Sequence, residues 1–227
     1  MTNAEIAFKA ADIEIKRVWS KRTRTTDIKP IELTLDLSGV TYNDLEKLPD
    51  SFVVLSTNPD LTKINLSNTQ ITDFTRLSDQ MESAGYLQEI HLNNTQISDE
   101  DLKRIFSFND FNISLKKLNL DNTQVSYLTP FKDYSLLEEL FLNNTKVKNL
   151  EPIAQLTNLR SLHLNNTEVQ ASDLKLLNAI KGIVESPSCN GICFKNTTAA
   201  RLDPRIAEIA EIDDPKDRAK ELFAYLK

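Results

Sequence analysis

Leu137–Val147 reads LEELFLNNTKV, and the same frame recurs along most of the chain. It runs Leu, two residues, an aliphatic, one residue, Leu, one residue, Asn, Thr, one residue, an aliphatic. LTKINLSNTQI from Leu61, LQEIHLNNTQI from Leu87, LKKLNLDNTQV from Leu115 and LRSLHLNNTEV from Leu159 repeat it almost letter for letter. The steps between starts at residues 61, 87, 115, 137 and 159 are 26, 28, 22 and 22 residues, far from a heptad or a single-helix period. A period of that size marks a solenoid, in which each repeat is one short unit that buries its apolar side only by stacking on its neighbours.

Two degenerate copies extend the series. IELTLDLSGVTY aligns as a first rung, with Leu35 and Leu37 at the inward positions and Glu32 where later rungs have Leu. GICFKNTTA aligns as the last, with Ile192, Phe194, Asn196 and Thr197 matching Leu162, Leu164, Asn166 and Thr167, which puts Cys189 at the leading position. Seven rungs result. Within each, the alternation around L-x-L is the period of two of a strand, so consecutive rungs should pair in parallel. Seven strands at about 4.8 Å make a sheet roughly 30 Å across, and wider return segments should curve it into a concave surface.

The Thr after each Asn, Thr69, Thr95, Thr123, Thr145, Thr167 and Thr197, stands where the chain leaves the strand, and its hydroxyl is suited to backbone groups that would otherwise be buried unpaired. The Asn-x-Thr matches in this ladder read as structural, not as glycosylation sites. Between rungs, SDEDLKRIF from Ser98 has a capping-box start and apolar Leu102, Ile105 and Phe106, predicting a helix. SDLKLLNAIKG reads similarly, with Gly182 as its stop. Pro130 and Pro152 in the short returns leave room for tight helical turns with proline at the start.

These residues resemble the leucine-rich-repeat family, particularly the 22-residue repeats of bacterial internalin-like proteins, over about residues 31–199. The resemblance implies an α/β solenoid with a curved parallel sheet, and a protein-recognition surface or the sensor segment of a larger signalling protein. It departs in placing Thr where many members have the ladder Asn, with Asn one place earlier. Residues 1–30, with Phe8, Ala11, Ile15, Val18 and Trp19 at helical spacing, read as an N-terminal cap, residues 31–200 as the solenoid, and residues 201–227 as a C-terminal cap, all in one structural domain. Asp203-Pro204 and Asp214-Pro215 are two helix starts with Asp as N-cap and Pro at the first helical position. The tail is similar to segments that follow the repeats in bacterial signalling proteins of Roco type, but carries no P-loop glycine-lysine motif.

Composition narrows the function. A net charge of −6 argues against nonspecific nucleic-acid binding, which needs a basic stripe. The cluster Lys16, Arg17, Lys21, Arg22 and Arg24 reads as the solvated face of the cap. No run approaches a membrane span, the charged N-terminus lacks the apolar core of an export signal, and two cysteines make no disulfide framework. The chain is read as a cytoplasmic monomer, with no cofactor, metal, nucleic-acid or membrane partner, that binds a protein.

The outward strand positions form two columns. Lys63, Glu89, Lys117 and Glu139 alternate in sign and should pair with one another. Asp36, Asn65, His91, Asn119, Phe141, His163 and Cys193 form the next, in which Phe141 is the one large aromatic and is expected to stand exposed. An aromatic anchor ringed by hydrogen-bonding groups is a typical hot spot, whereas an isolated exposed apolar residue is often silent. The candidate contact set is Asn65, His91, Asn119, Phe141, His163, Asn143 and Asn165. Two other chemistries compete with binding. His163 and Cys193 on adjacent rungs could pair as imidazole and thiolate in a hydrolase, but an open sheet supplies no evident oxyanion donor. A zinc site fails because His91 lies about 14 Å, three strand spacings, from His163.

Overall fold

The structure is a computed structural model, and it describes residues 33–38, 61–71, 74, 75, 78, 86–106, 114–185 and 191–227. The predicted N-terminal cap and Cys189 lie outside the described residues. Among the described residues, seven strands form one parallel sheet in chain order: β1 Leu33–Asp36, β2 Leu61–Asn65, β3 Glu89–His91, β4 Lys117–Asn119, β5 Glu139–Phe141, β6 Ser161–His163 and β7 Gly191–Cys193. The register is the one the repeats dictate: Ile64, Ile90, Leu118, Leu140, Leu162 and Ile192 stand opposite one another and are buried. One irregularity falls in the first pair, where Leu33, not Glu32, stands opposite Leu61 before the register shifts and Thr34 meets Lys63.

Each turn out of a strand uses Asn and Thr for separate physical reasons. Asn68, Asn94, Asn122, Asn144, Asn166 and Asn196 have φ between 55° and 60°, the left-handed region that Asn tolerates better than most residues. Their side chains also link rungs: Asn94 Nδ2 donates to Asn68 Oδ1 at 2.8 Å, and Asn144 to Asn122, Asn166 to Asn144 and Asn196 to Asn166 at 2.7 Å each. The following Thr turns inward. Thr69, Thr95, Thr123, Thr145, Thr167 and Thr197 are buried, and each Oγ1 donates to the carbonyl three residues earlier at 2.6–3.0 Å. The Asn one place early, which set this chain apart within the resemblance, thus has a conformational role.

The returns follow the sequence with one correction. Helix α1, Asp99–Phe106, starts at a capping box in which Ser98 N donates to Asp101 Oδ2 (3.0 Å) and Asp101 N to Ser98 Oγ (3.3 Å). The short returns hold 3-10 turns at Thr129–Phe131 and Glu151–Ile153 with Pro130 and Pro152 inside them. After β6 come α2, Ala171–Leu176, a 3-10 turn at Leu177–Ala179 and α3, Lys181–Glu185. Gly182 therefore lies inside a helix instead of ending one; it is small because a Cβ there would collide with the carbonyl oxygen of Leu159.

The tail closes the last strand with three helices, one more than the two Asp-Pro starts announce. α4, Thr198–Leu202, begins at Thr197, whose hydroxyl accepts from Ala200 N at 3.2 Å while donating to Phe194 O. α5, Pro204–Ala210, and α6, Pro215–Tyr225, are capped by Asp203 and Asp214, each accepting two backbone N–H groups. Ile206, Ile209, Leu222 and Phe223 join the apolar core that runs unbroken from Leu37. No helix among the described residues is long and apolar enough to cross a membrane.

Candidate functional site

Both outward columns stand where the alternation puts them. Thr34, Lys63, Glu89, Lys117 and Glu139 are successive neighbours, as are Asp36, Asn65, His91, Asn119, Phe141, His163 and Cys193. In the first column Lys63 pairs with Glu89 at 3.0 Å and Lys117 with Glu139 at 2.9 Å, so the alternating signs neutralise one another. Burial works to raise the Glu89 carboxyl, but hydrogen bonds from Lys63 and His91 outweigh it and hold it below its ordinary value.

The second column divides according to what its side chains do for the backbone. Asp36, Asn65 and Asn119 accept from the N–H two residues on, in Ser38 (3.0 Å), Ser67 (3.1 Å) and Asp121 (2.9 Å). These are Asx turns, which close the chain out of the strand. In the last three strands the same donor is satisfied from the preceding rung: Asn143 N reaches Asp121 Oδ1 (2.6 Å), Asn165 N reaches Asn143 Oδ1 (2.9 Å) and Lys195 N reaches Asn165 Oδ1 (2.8 Å). Phe141 and His163, two residues before the first two of those donors, are therefore not needed as acceptors in the turn. Of the seven candidate contact residues, Asn65, Asn119, Asn143 and Asn165 hold backbone together, while Phe141 and His163 do not; His91 lies 3.4 Å from Glu89 Oε2. The Asx pattern, an Asn or Asp two residues before the turn, was present in the sequence; the ladder of Asp121, Asn143 and Asn165 shows only once rungs are stacked.

Phe141 is half-buried, where an exposed side chain was expected. Its neighbours account for this. The His163 ring packs against it with centroids 4.6 Å apart at 57°, and Lys117 Nζ lies 5.3 Å from its centroid while bonded to Glu139. A cation over the ring face and an imidazole beside it make a compact unit of mixed polarity. Asp121 borders it, its carboxyl raised by burial against the pull of the hydrogen bonds from Asn143.

Arg218, buried on α6, was not singled out by its sequence. Its Nε donates to Ile192 O at 2.7 Å, one Nη to Ile212 O at 2.5 Å and the other to Cys193 Sγ at 3.6 Å, which pins the cap to the last strand. Gly191, at φ 57°, permits the approach: a Cβ there would lie 2.9 Å from Pro215 Cβ. Burial pushes the Cys193 thiol up, with Arg218 and Lys195 pulling it only part of the way back, and burial pushes His163 down. Both shifts favour the neutral forms, the opposite of what a thiolate nucleophile requires.

No family model and no curated protein matches the chain. Solved structures do. The internalin InlF of Listeria monocytogenes superposes with a TM-score of 0.53 at 22% identity, over 79% of this chain and 52% of that one. A leucine-rich-repeat protein of Leptospira interrogans gives 0.51 at 20% identity, over 78% of this chain and 40% of that one. The internalin InlC2 of L. monocytogenes aligns over 62% of this chain and 74% of its own at 20% identity, with a TM-score of 0.40. This chain spans about half the length of the InlF structure. Identities this low speak for the fold alone, and it is the fold the repeats predict: the chain has a leucine-rich-repeat fold, its solenoid similar to that of the internalin InlF.

Proposed function

We propose that the chain is a noncatalytic module that recognises a protein partner on the open face of its sheet, with Phe141 and His163 at the centre of the contact. The observation that carries this reading is the division within the second column. Where an Asx side chain closes the turn, the outward residue is committed to the fold; at β5 and β6, where the preceding rung supplies the acceptor, it is an aromatic and an imidazole. Half-buried aromatics with polar surroundings are typical binding anchors, because they bring large area at small entropic cost. Asn65, His91, Asn119, Asn143 and Asn165 then act as the supporting rim, contributing complementarity through whatever hydrogen bonds the ladder leaves. The same proposal takes the chain to be a cytoplasmic monomer.

The test is affinity capture with the full chain, followed by titration of the captured protein against wild type, Phe141→Ala and Lys103→Ala, the last on the exposed side of α1. Phe141→Ala should weaken binding by about 1–3 kcal/mol and Lys103→Ala should leave it unchanged. The opposite pattern would place recognition on the return side of the solenoid.

A further inference from the structure

The chain has two histidines, and their surroundings differ. His91 Nε2 lies 3.4 Å from Glu89 Oε2, so a proton taken up there meets a carboxylate. His163 Nε2 is buried and has no hydrogen-bond partner among the described residues. Neutral imidazole can bury a bare acceptor nitrogen at that point, whereas imidazolium carries N–H on both nitrogens. A proton would thus place a donor and a charge where the fold offers no acceptor.

The groups facing His163 come from every element around it. β5 contributes Glu139 and Phe141, β4 and the turn after it Lys117 and Asp121, β7 Cys193, and α6 Arg218. The two carboxylates are engaged elsewhere: Glu139 holds Lys117 at 2.9 Å, and Asp121 accepts from Asn143 N at 2.6 Å and Asn143 Nδ2 at 3.2 Å. The two cations oppose protonation, and Arg218 is fixed by its bonds to Ile192 O and Cys193 Sγ. Meanwhile the His163 ring is the support on which Phe141 rests.

We propose that His163 is a proton-operated latch for Phe141: neutral, it stays sealed against β7 and holds the aromatic ring in place; protonated, it leaves the sealed position and unseats Phe141. A partner gripping Phe141 would then be released in mildly acidic solution. That last consequence rests on the recognition reading given above, while the latch itself does not.

The experiment uses the full chain without a partner, so a failure of the binding proposal leaves it intact. Ring signals of both histidines and of Phe141 are followed by NMR as pH is lowered. His163 should titrate below the ordinary imidazole value, and the Phe141 ring signals should shift with the same midpoint. His163→Gln should abolish that Phe141 transition, and His91→Gln should preserve it. The latch is overturned if the Phe141 signals stay still while His163 titrates, if their transition persists in His163→Gln, or if His163 remains neutral until the chain unfolds.

Discussion

Strands β4 and β5 are neighbours that share the buried middle Leu of the frame, KLN and ELF, yet they leave the sheet by different means. After β4 the third strand residue, Asn119, bends back to accept from Asp121 N; after β5 the equivalent donor, Asn143 N, reaches across to Asp121 itself. One residue joins the two: Asp121 ends the local solution with its backbone N–H and begins the inter-rung one with its carboxylate. From that point the outward column carries no Asx residue but Phe141, His163 and Cys193, whereas before it His91 alone interrupts the run of Asp36, Asn65 and Asn119. A repeat protein can vary its surface only where the repeat no longer needs the side chain, and here a second ladder of amides has taken over that need.

The comparison can be broken by removing each kind of support. The largest effect is common to both regions. Leu140→Ala deletes a fully buried side chain in the middle of the sheet and should cost about 2–5 kcal/mol in denaturant unfolding. A near-neutral result would mean the two faces of the strands are assigned the wrong way round.

Next in size is Asn143→Ala, which takes the acceptor from Asn165 N and a donor from Asp121 at once. A part-buried N–H left unpaired costs about 1–3 kcal/mol, and amide exchange at Asn165 should accelerate beyond that of the flanking rungs. If exchange there is unchanged, the inter-rung ladder is not what holds the turn.

Smaller again is a pH effect. Burial holds both His91 and His163 below the ordinary imidazole value. With the folded pKa depressed, the unfolded chain binds more protons in the window from about 6.5 downward, so stability is fully present above that value and declines as pH falls through it. His163→Gln should flatten part of this slope in unfolding curves collected across the window. An unchanged slope would assign the whole effect to His91.

The sequence made the shared features legible and the local ones obscure. Period and alternation are enough to place Ile64, Leu118 and Leu162 inside and Lys63, Glu89 and Lys117 on one outward line, because stacking like units leaves a single register that buries the aliphatic positions of the frame. Ser98, Asp203 and Asp214 were readable as caps because a cap acts within a few residues. What depended on a different rung was not readable. Phe141 is half-buried because His163 lies 22 residues on, Asn143 is structural because Asn165 N comes to it, and Gly182 serves close packing, not a helix stop, because the Leu159 carbonyl passes beside it. The first rung shows the same limit, since letter-by-letter alignment carries no mark of the irregularity that brings Leu33 opposite Leu61.

The division between β4 and β5 is tested most directly by exchanging their outward residues and measuring unfolding free energies of Asn119→Phe and Phe141→Asn by denaturant titration. Asn119→Phe removes the acceptor of Asp121 N and should destabilise by about 1 kcal/mol, whereas Phe141→Asn restores an Asx residue at a turn already closed by Asp121 and should lose no more than the aromatic contact with His163, about 0.5–1.5 kcal/mol, with Asn143 amide exchange unchanged. Protection of Asp121 should fall in the first variant alone. If Asn143 loses protection in Phe141→Asn, or Asp121 keeps it in Asn119→Phe, then the outward column is not released from the fold at β5 and the choice of Phe141 and His163 as the recognition centre loses its basis.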